Sequence, residues 1–127
     1  SAATKAYQAA GITAGDVDVA EVHDCFAVTE LMMIEAIGLA APGQGAALTK
    51  SGATAIDGAT PVNTGGGLIG FGHPVGATGV KQPLEIFRQM KGQCGDYQVA
   101  GDLSWGITAN MGGDDKTVVS LALKNLG

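Results

Sequence analysis

Charged residues are scarce in this sequence, and basic residues are the scarcer kind. The 127 residues include 12 Asp and Glu but only 7 Lys and Arg, which gives a net charge of −5. Because no basic run is present to follow a phosphate backbone, we expect no nucleic acid partner. Only 15% of the residues are charged, against about 25% in an ordinary soluble domain. We therefore expect part of the surface to be hidden in an interface.

Long apolar runs and cysteines are also lacking. The longest near-apolar stretch, residues 26–41, is interrupted by one threonine and two glutamates. It falls short of the roughly 20 apolar residues of a membrane helix, so we expect no membrane span. The two cysteines, Cys25 and Cys94, come without a signal peptide, the usual intracellular pattern in which thiols stay reduced. We expect a bacterial cytoplasmic protein, since the C-terminal KNLG is not a peroxisomal address.

The order of predicted helices and strands indicates an α/β fold in a single domain, residues 1–127. Helices are predicted over residues 2–10, 26–37 and 77–90, and strands over residues 17–22, 103–110 and 117–123. The last two strands are joined by MGGDDK, which predicts a hairpin. The chain opens at Ser1 and enters a helical pattern at once, so we expect it to be part of something longer.

The middle of the sequence is rich in small residues and glycine. Residues 38–60 show little periodicity and are interpreted as a loop. A short extended segment at 60–63 leads into a run with seven glycines between Gly65 and Gly79. Pro83 lies inside the helical pattern that follows, where it removes a backbone hydrogen bond, so we expect a kink or a delayed helix start.

The glycine run contains a GxGxxG pattern, but its surroundings exclude a dinucleotide site. The preceding strand is barely four residues long, and no acidic residue follows at the expected distance of about 20 positions. The GK[ST] of a P-loop is missing as well. The two histidines and two cysteines show no paired spacing of the kind that zinc sites use, so no metal site is expected.

The tetrad HDCF, residues 23–26, lies where a predicted strand meets a helix, the edge on which α/β proteins build their sites. A thiol at a helix N-terminus has a lowered pKa, which makes Cys25 a candidate acid/base. The structural alternative is that Cys25 is a small buried hydrophobe and His23 a hydrogen-bonded residue at a strand end. Adjacency alone does not decide between these interpretations.

A second candidate is the triplet Gly72, His73 and Pro74 within GGGLIGFGHPVGATG. Glycines let the backbone approach a ligand closely, and Pro74 favours an extended conformation for His73, whose ring then projects from a stiff loop. Such a histidine can polarise a carbonyl group or activate a thiol. The alternative is an ordinary surface histidine beside turn glycines.

Together these motifs resemble the thiolase superfamily, in the branch of the sterol carrier protein thiolases. The matching segments are EVHDCFAVTELMMIEAIGL, PVNTGGGLIGFGHPVGATG and the strand that ends in NMGG, in the order and spacing of that family. The resemblance covers residues 16–123 and corresponds to the C-terminal half of a thiolase. It implies a mixed five-stranded sheet with helices on both faces.

The resemblance also implies a chemistry, the cleavage of a 3-oxoacyl-CoA by coenzyme A or the reverse Claisen condensation. Cys25 would shuttle protons, and His73 would activate the acyl-accepting cysteine and bind the thioester oxygen. His23, at the position of the Asn in the NEAF motif of most thiolases, would hold an oxyanion-hole water. Asn110 stands at the position of the usual CxG cysteine. It would contact the substrate together with Gly72 and Gly112.

The acyl-accepting cysteine belongs to the other half of a thiolase, and Cys94 has none of its sequence context. The resemblance therefore implies an N-terminal half as partner, in the same chain or as a companion, within a homo-oligomeric enzyme. Acyl-CoA and coenzyme A would be substrates, with no further cofactor. Two alternatives stay open: a retro-aldolase acting on steroid side-chain thioesters, and a non-catalytic thiolase-like subunit.

Overall fold

The first helix shows how local sequence sets an element boundary. In a computed structural model that describes residues 1–113 and 116–127, α1 spans Ala2–Ala10. The hydroxyl of Ser1 accepts a hydrogen bond from the Thr4 amide at 3.2 Å, which caps the first turn. Gly11 ends the helix in the left-handed conformation, with φ of 71°, a backbone geometry that glycine adopts without strain. The prediction for residues 2–10 is confirmed.

Seven further α-helices and β-strands follow α1 in the described part of the chain. They are β1 (Val19–Val22), α2 (Ala27–Ala36), α3 (Gly45–Lys50), α4 (Gly67–Phe71), α5 (Thr78–Met90), β2 (Trp105–Gly112) and β3 (Thr117–Lys124). The predicted helices at 26–37 and 77–90 are confirmed within one residue at each end. The predicted strands are confirmed in order and type, although β1 begins two residues later than expected, and β2 both begins and ends two residues later.

The strands form a mixed sheet in the order β1-β2-β3. β1 pairs with β2 in parallel, and β2 pairs with β3 in antiparallel register from Trp105 opposite Lys124 to Gly112 opposite Thr117. This pairing confirms the predicted hairpin, although Asp114 and Asp115 of its MGGDDK connection lie outside the described residues.

The described residues contain three strands rather than the five that were expected. The extended segment 60–63 contributes only one bridge, between Val62 and Ala20, on the side of β1 away from β2. The next residue, Asn63, has a φ of 51°, which turns the backbone out of the extended conformation. The segment therefore ends before a strand can form.

Helices cover both faces of the sheet, as predicted. On one face Ala20 and Val22 of β1 pack with Ile34 of α2 and Tyr7 of α1 in the larger apolar core. On the other face Val19 packs with Ile86 of α5. This alternation follows from the two-residue period of a strand, which sends successive side chains to opposite faces.

Two short helices correct the predictions for the middle of the chain. Residues 38–60 are not a plain loop, because α3 begins at Gly45, where the backbone N–H donates to the Glu35 carboxylate at 2.8 Å. The glycine run likewise contains α4. Neither helix is long enough to show an apolar periodicity in the sequence. Of the kink or delayed start expected from Pro83, the delayed start is wrong, since α5 begins at Thr78 and continues through Pro83 to Met90.

Candidate active site

The candidate site begins where β1 ends. The backbone N–H of His23 donates to the carbonyl oxygen of Ala109 at 2.9 Å, so the strand pairing with β2 continues one residue beyond β1. His23 and Asp24 are both buried. The parallel pairing of β1 with β2 thus places the HDCF segment beside the carboxyl-terminal part of β2, at the edge predicted from the sequence.

Asn110 of β2 holds the ring of His23. The Nδ1 atom of His23 lies 2.7 Å from Oδ1 of Asn110. Gly79 of α5 is the neighbour on the other side of this amide, and a Cβ atom at Gly79 would lie 2.8 Å from Nδ2 of Asn110. A glycine at this position therefore leaves room for the amide between β2 and α5.

His73 reaches the same place from the glycine-rich loop. Gly72, with φ of 86°, ends α4, and the loop then leads to α5. The ring of His73 meets the ring of His23 edge-on, with centroids 5.0 Å apart and an interplanar angle of 83°. Its Nδ1 atom lies 2.6 Å from the hydroxyl of Thr78, the first residue of α5. Packing thus brings together two histidines that are 50 positions apart in the sequence.

Cys25 is half-buried and carries a free thiol. It lies two residues before Ala27, the first residue of α2, because Phe26 occupies the N-cap position. The sulfur atom is 3.8 Å from the hydroxyl of Thr29 in the first helical turn. The thiol therefore lies close to the N-terminus of α2, as the sequence indicated. The first N–H groups of a helix have no partner within it, and they form the positive end of the helix dipole.

A cavity of about 420 Å³ joins these side chains. Of the residues singled out in the sequence, His23, Cys25, His73, Asn110 and Gly112 line it. Three further lining residues are apolar, Val75, Met111 and Val119, and the other two are Gly113 and Thr117. Gly72 is not among the lining residues and serves instead as the end of α4. The cavity therefore combines a thiol, two imidazoles and an amide with an apolar wall.

Asn63 supports the site and was not singled out from the sequence. Its side-chain oxygen accepts from the backbone N–H of Val22 at 2.8 Å, and its amide donates to the carboxylate of Glu30 at 2.9 Å. Burial raises the pKa of Glu30 above its ordinary value, while the bond from Asn63 lowers it. The available signal was an asparagine two positions before three consecutive glycines, since asparagine tolerates the left-handed conformation better than most residues.

Asp24 ties the glycine-rich loop to the end of β1. Its Oδ1 atom accepts from the backbone N–H of Leu68 at 2.9 Å, which satisfies one of the free N–H groups at the start of α4. The carboxylate lies so close to Gly67 that a side chain there would collide with it. The sequence offered no sign of this contact, because the two residues belong to different motifs.

A buried charged pair lies between β1 and α5. Glu21 is 3% exposed, and burial raises its pKa to about 7, although the attraction of Lys81 partly opposes the effect. The ammonium of Lys81 lies 3.6 Å from the Glu21 carboxylate and 3.8 Å above the ring of Phe71. The lysine therefore links β1, α4 and α5 beneath the site.

Within the described part of the chain, no group of three or more His, Cys, Asp or Glu side chains is arranged to hold a metal ion. No helix among the described residues has both the length and the apolar character needed to cross a membrane.

Comparison with known proteins gives consistent matches. The family described as Thiolase C-terminal domain-like matches residues 1–125. Acetyl-CoA acetyltransferase of Methanothermobacter thermautotrophicus is 43% identical over 117 residues, which are 92% of this chain and 30% of that protein. Sterol carrier protein 2 of Homo sapiens is 43% identical over 120 residues, which are 94% of this chain and 22% of that protein.

Among solved structures, a chain of the Ltp2-ChsH2(DUF35) aldolase superimposes with a TM-score of 0.83 and 25% sequence identity. The match covers 98% of this chain and 31% of that chain. The present chain thus spans less than a third of the length of each of these relatives. The HDCF and GHP motifs, the mixed α/β fold and these matches together show that the chain belongs to the thiolase family, as a thiolase C-terminal domain-like chain.

Proposed function

We propose that this chain supplies the acid/base side of an acyl-CoA thiolase active site, an acetyl-CoA acyltransferase with coenzyme A and acyl-CoA as substrates. The observation that carries the proposal is the convergence of Cys25, His23, His73 and Asn110 on one cavity. These residues come from three separate segments of the chain, and their chemistry suits proton transfer next to a thioester. Relatives named acetyl-CoA acetyltransferase support the same reaction.

In thiolysis, the nucleophile is a cysteine on the part of the enzyme that lies outside this chain. His73 takes the thiol proton, and the thiolate attacks the C3 carbonyl of a 3-oxoacyl-CoA. The C2–C3 bond breaks with its electron pair on C2, and Cys25 gives its thiol proton to that carbon to release acetyl-CoA. Coenzyme A then gives its thiol proton to Cys25 and attacks the acyl-cysteine. The displaced cysteine recovers its proton from His73, so all protons balance.

His23 and Asn110 serve the oxyanion in this proposal. With Nδ1 of His23 engaged by Asn110 at 2.7 Å, the other ring nitrogen is available to hold the water of an oxyanion hole. A preorganised water of this kind stabilises the transition state, because it needs no reorganisation when negative charge develops on the carbonyl oxygen. Gly112, in the lining of the same cavity, leaves the backbone open to the substrate.

The partner that completes the site is the N-terminal thiolase half, in the same chain or as a companion, within a homo-oligomeric enzyme. The support is an apolar stripe on α5 formed by Val80, Leu84 and Phe87, which are 70%, 51% and 48% exposed. Their spacing of four and three residues places them on one helix face. An uncovered stripe of this kind marks an interaction surface.

The decisive experiment uses a protein that contains both halves and follows thiolysis of acetoacetyl-CoA. Cys25→Ala is expected to lower kcat by about 10²- to 10⁴-fold, the usual contribution of general acid–base catalysis. Cys94→Ala is the matched control, because Cys94 is a buried thiol outside the cavity lining. If the Cys25→Ala enzyme thiolysed its substrate as fast as the control, Cys25 would not be the proton shuttle.

A retro-aldolase acting on a steroid side-chain thioester is the second candidate, favoured by the structural similarity to a chain of an aldolase. In that reaction a base removes the proton of a 3-hydroxyl group, the C2–C3 bond breaks, and C2 is protonated. No thiol is consumed. Cleavage of a 3-hydroxyacyl-CoA without added coenzyme A would therefore favour the aldolase. Absence of both activities in the complete protein would favour a non-catalytic subunit.

A further inference from the structure

The ring of His73 depends on one buried hydroxyl. Thr78 is 3% exposed, and its Oγ1 atom lies 2.6 Å from Nδ1 of His73. His73 itself is exposed on a loop, whereas Thr78 begins α5, which packs on the sheet through Ile86. The contact therefore connects an exposed loop side chain to a rigid element of the fold.

The turn between these residues is closed by its own backbone. The N–H groups of Ala77 and Thr78 both donate to the carbonyl oxygen of Pro74, at 2.7 and 3.2 Å. The Thr78 hydroxyl lies 3.5 Å from the same carbonyl oxygen. Two contacts from Thr78 and one from Ala77 to the same oxygen atom thus fix Thr78 relative to the turn that carries the histidine.

A hydroxyl group has one proton and can direct it to only one acceptor. If that proton is directed to Pro74, the Thr78 oxygen accepts from Nδ1–H of His73, and Nε2 keeps its lone pair. If instead it is directed to Nδ1, the proton of the neutral ring lies on Nε2. In the first arrangement both protons have an acceptor in the chain itself, the Thr78 oxygen at 2.6 Å and the Pro74 carbonyl oxygen at 3.5 Å. This arrangement also leaves Nε2 free to take the proton of a thiol.

We propose that Thr78 is the positioning residue of His73, and that it holds the neutral ring in the tautomer protonated at Nδ1. This inference rests on the proposed function for the use of His73 as a base, but the tautomer is a property of the chain itself. A histidine held in the wrong tautomer cannot accept the proton, whatever its distance from the thiol.

The test is nitrogen NMR of the chain labelled with ¹⁵N-histidine, recorded at a pH high enough for both histidine rings to be neutral. Only two histidines are present, and His23→Asn identifies the signals of His73. We expect a protonated Nδ1 and an unprotonated Nε2 in the wild type and in Thr78→Ser. In Thr78→Val, which keeps the branched shape without the hydroxyl, we expect a mixture of tautomers. The same spectra are recorded on the protein with both halves.

A protonated Nε2 in the wild type would overturn the proposal, whether or not Thr78→Val folds. An unchanged tautomer in a folded Thr78→Val chain would overturn it as well. In thiolysis assays we expect Thr78→Val to lower kcat/KM by at least about tenfold, part of the general-base contribution, with recovery in Thr78→Ser. If the tautomers behave as expected but Cys25→Ala leaves thiolysis intact, the proposed function fails and the Thr78 assignment stands.

Discussion

Nδ1 of His23 lies 2.7 Å from Oδ1 of Asn110, although the two residues are 87 positions apart in the chain. The contact spans the parallel pair β1 and β2, because His23 and Asn110 directly follow Val22 and Ala109, the last paired residues of the two strands. A side chain on β2 thereby determines how a ring in the HDCF segment is presented to the cavity.

Removing the Asn110 amide is expected to impair catalysis through His23. In the protein with both halves, Asn110→Ala should lower kcat by about tenfold or more. Complete loss of an oxyanion-hole donor lowers kcat by about 10²- to 10³-fold, and this change only loosens the ring that holds the water. Asn110→Asp keeps a side-chain oxygen opposite Nδ1 of His23 and should be the milder change. Steady-state kinetics of the two variants check this order. An Asn110→Asp enzyme as impaired as Asn110→Ala would contradict the contact.

A substitution at Gly79 tests the geometry of the site separately from the stability of the fold. Gly79→Ala introduces a Cβ atom 2.8 Å from Nδ2 of Asn110, so the amide must leave the position in which it meets His23. Alanine in a helix is favoured over glycine by about 1 kcal/mol, so we expect unchanged or slightly increased stability but lower activity. Gly76→Ala is the control, because no atom lies within 4 Å of a Cβ there. Equal activity of the two variants would show that the amide adapts freely.

Asn63 is expected to matter for stability rather than chemistry. Asn63→Ala leaves the buried N–H of Val22 without its acceptor, a loss of about 1–3 kcal/mol. It also places alanine at a φ of 51°, which adds about 1–2 kcal/mol. Asn63→Gly removes only the second effect and should be the milder change. Urea unfolding measures both. If Asn63→Gly were as destabilising as Asn63→Ala, backbone strain would contribute nothing.

Glu21 is expected to make stability depend on pH. Because burial raises its pKa from 4.5 to about 7, the folded chain binds a proton that the unfolded chain has released. The resulting contribution of Glu21 to the free energy of unfolding is fully present below pH 4.5 and is lost as the pH rises through 7. It amounts to about 3 kcal/mol. Glu21→Gln should remove this dependence. Unfolding free energies from pH 4 to 8 check it, and parallel curves for wild type and variant would contradict the burial effect.

Glu35 is a control for that experiment, because its contribution to stability is expected to change with pH in the opposite direction. The backbone N–H groups of Gly43 and Gly45 lower the pKa of its carboxyl group. Its contribution is therefore present above the unfolded pKa and is lost as the pH falls through the lower, folded value. Glu35→Gln should flatten the acid side of the stability curve and leave the change between pH 5 and 7 in place.

The sequence predicted the elements whose signals are local and long enough to repeat. The helix at 77–90 shows a clear apolar spacing, and Gly11 marks the end of α1 by its own conformational preference. By contrast, α3 and α4 span six and five residues, less than two helical turns, and depend on contacts with Glu35 and Asp24. Such contacts leave no periodic pattern, so both segments were interpreted as irregular.

By itself, the sequence determined the family and the identity of Cys25, His23 and His73 as candidate residues, because the HDCF and GHP motifs are contiguous. Only the tertiary structure decided how these residues are held. The hydrogen bonds between His23 and Asn110 and between Leu68 and Asp24 join segments 87 and 44 positions apart. Such hydrogen bonds form only when donor and acceptor atoms lie within a few tenths of an ångström of the ideal separation. Those separations are set by packing of the whole sheet and its helices, which no local pattern encodes.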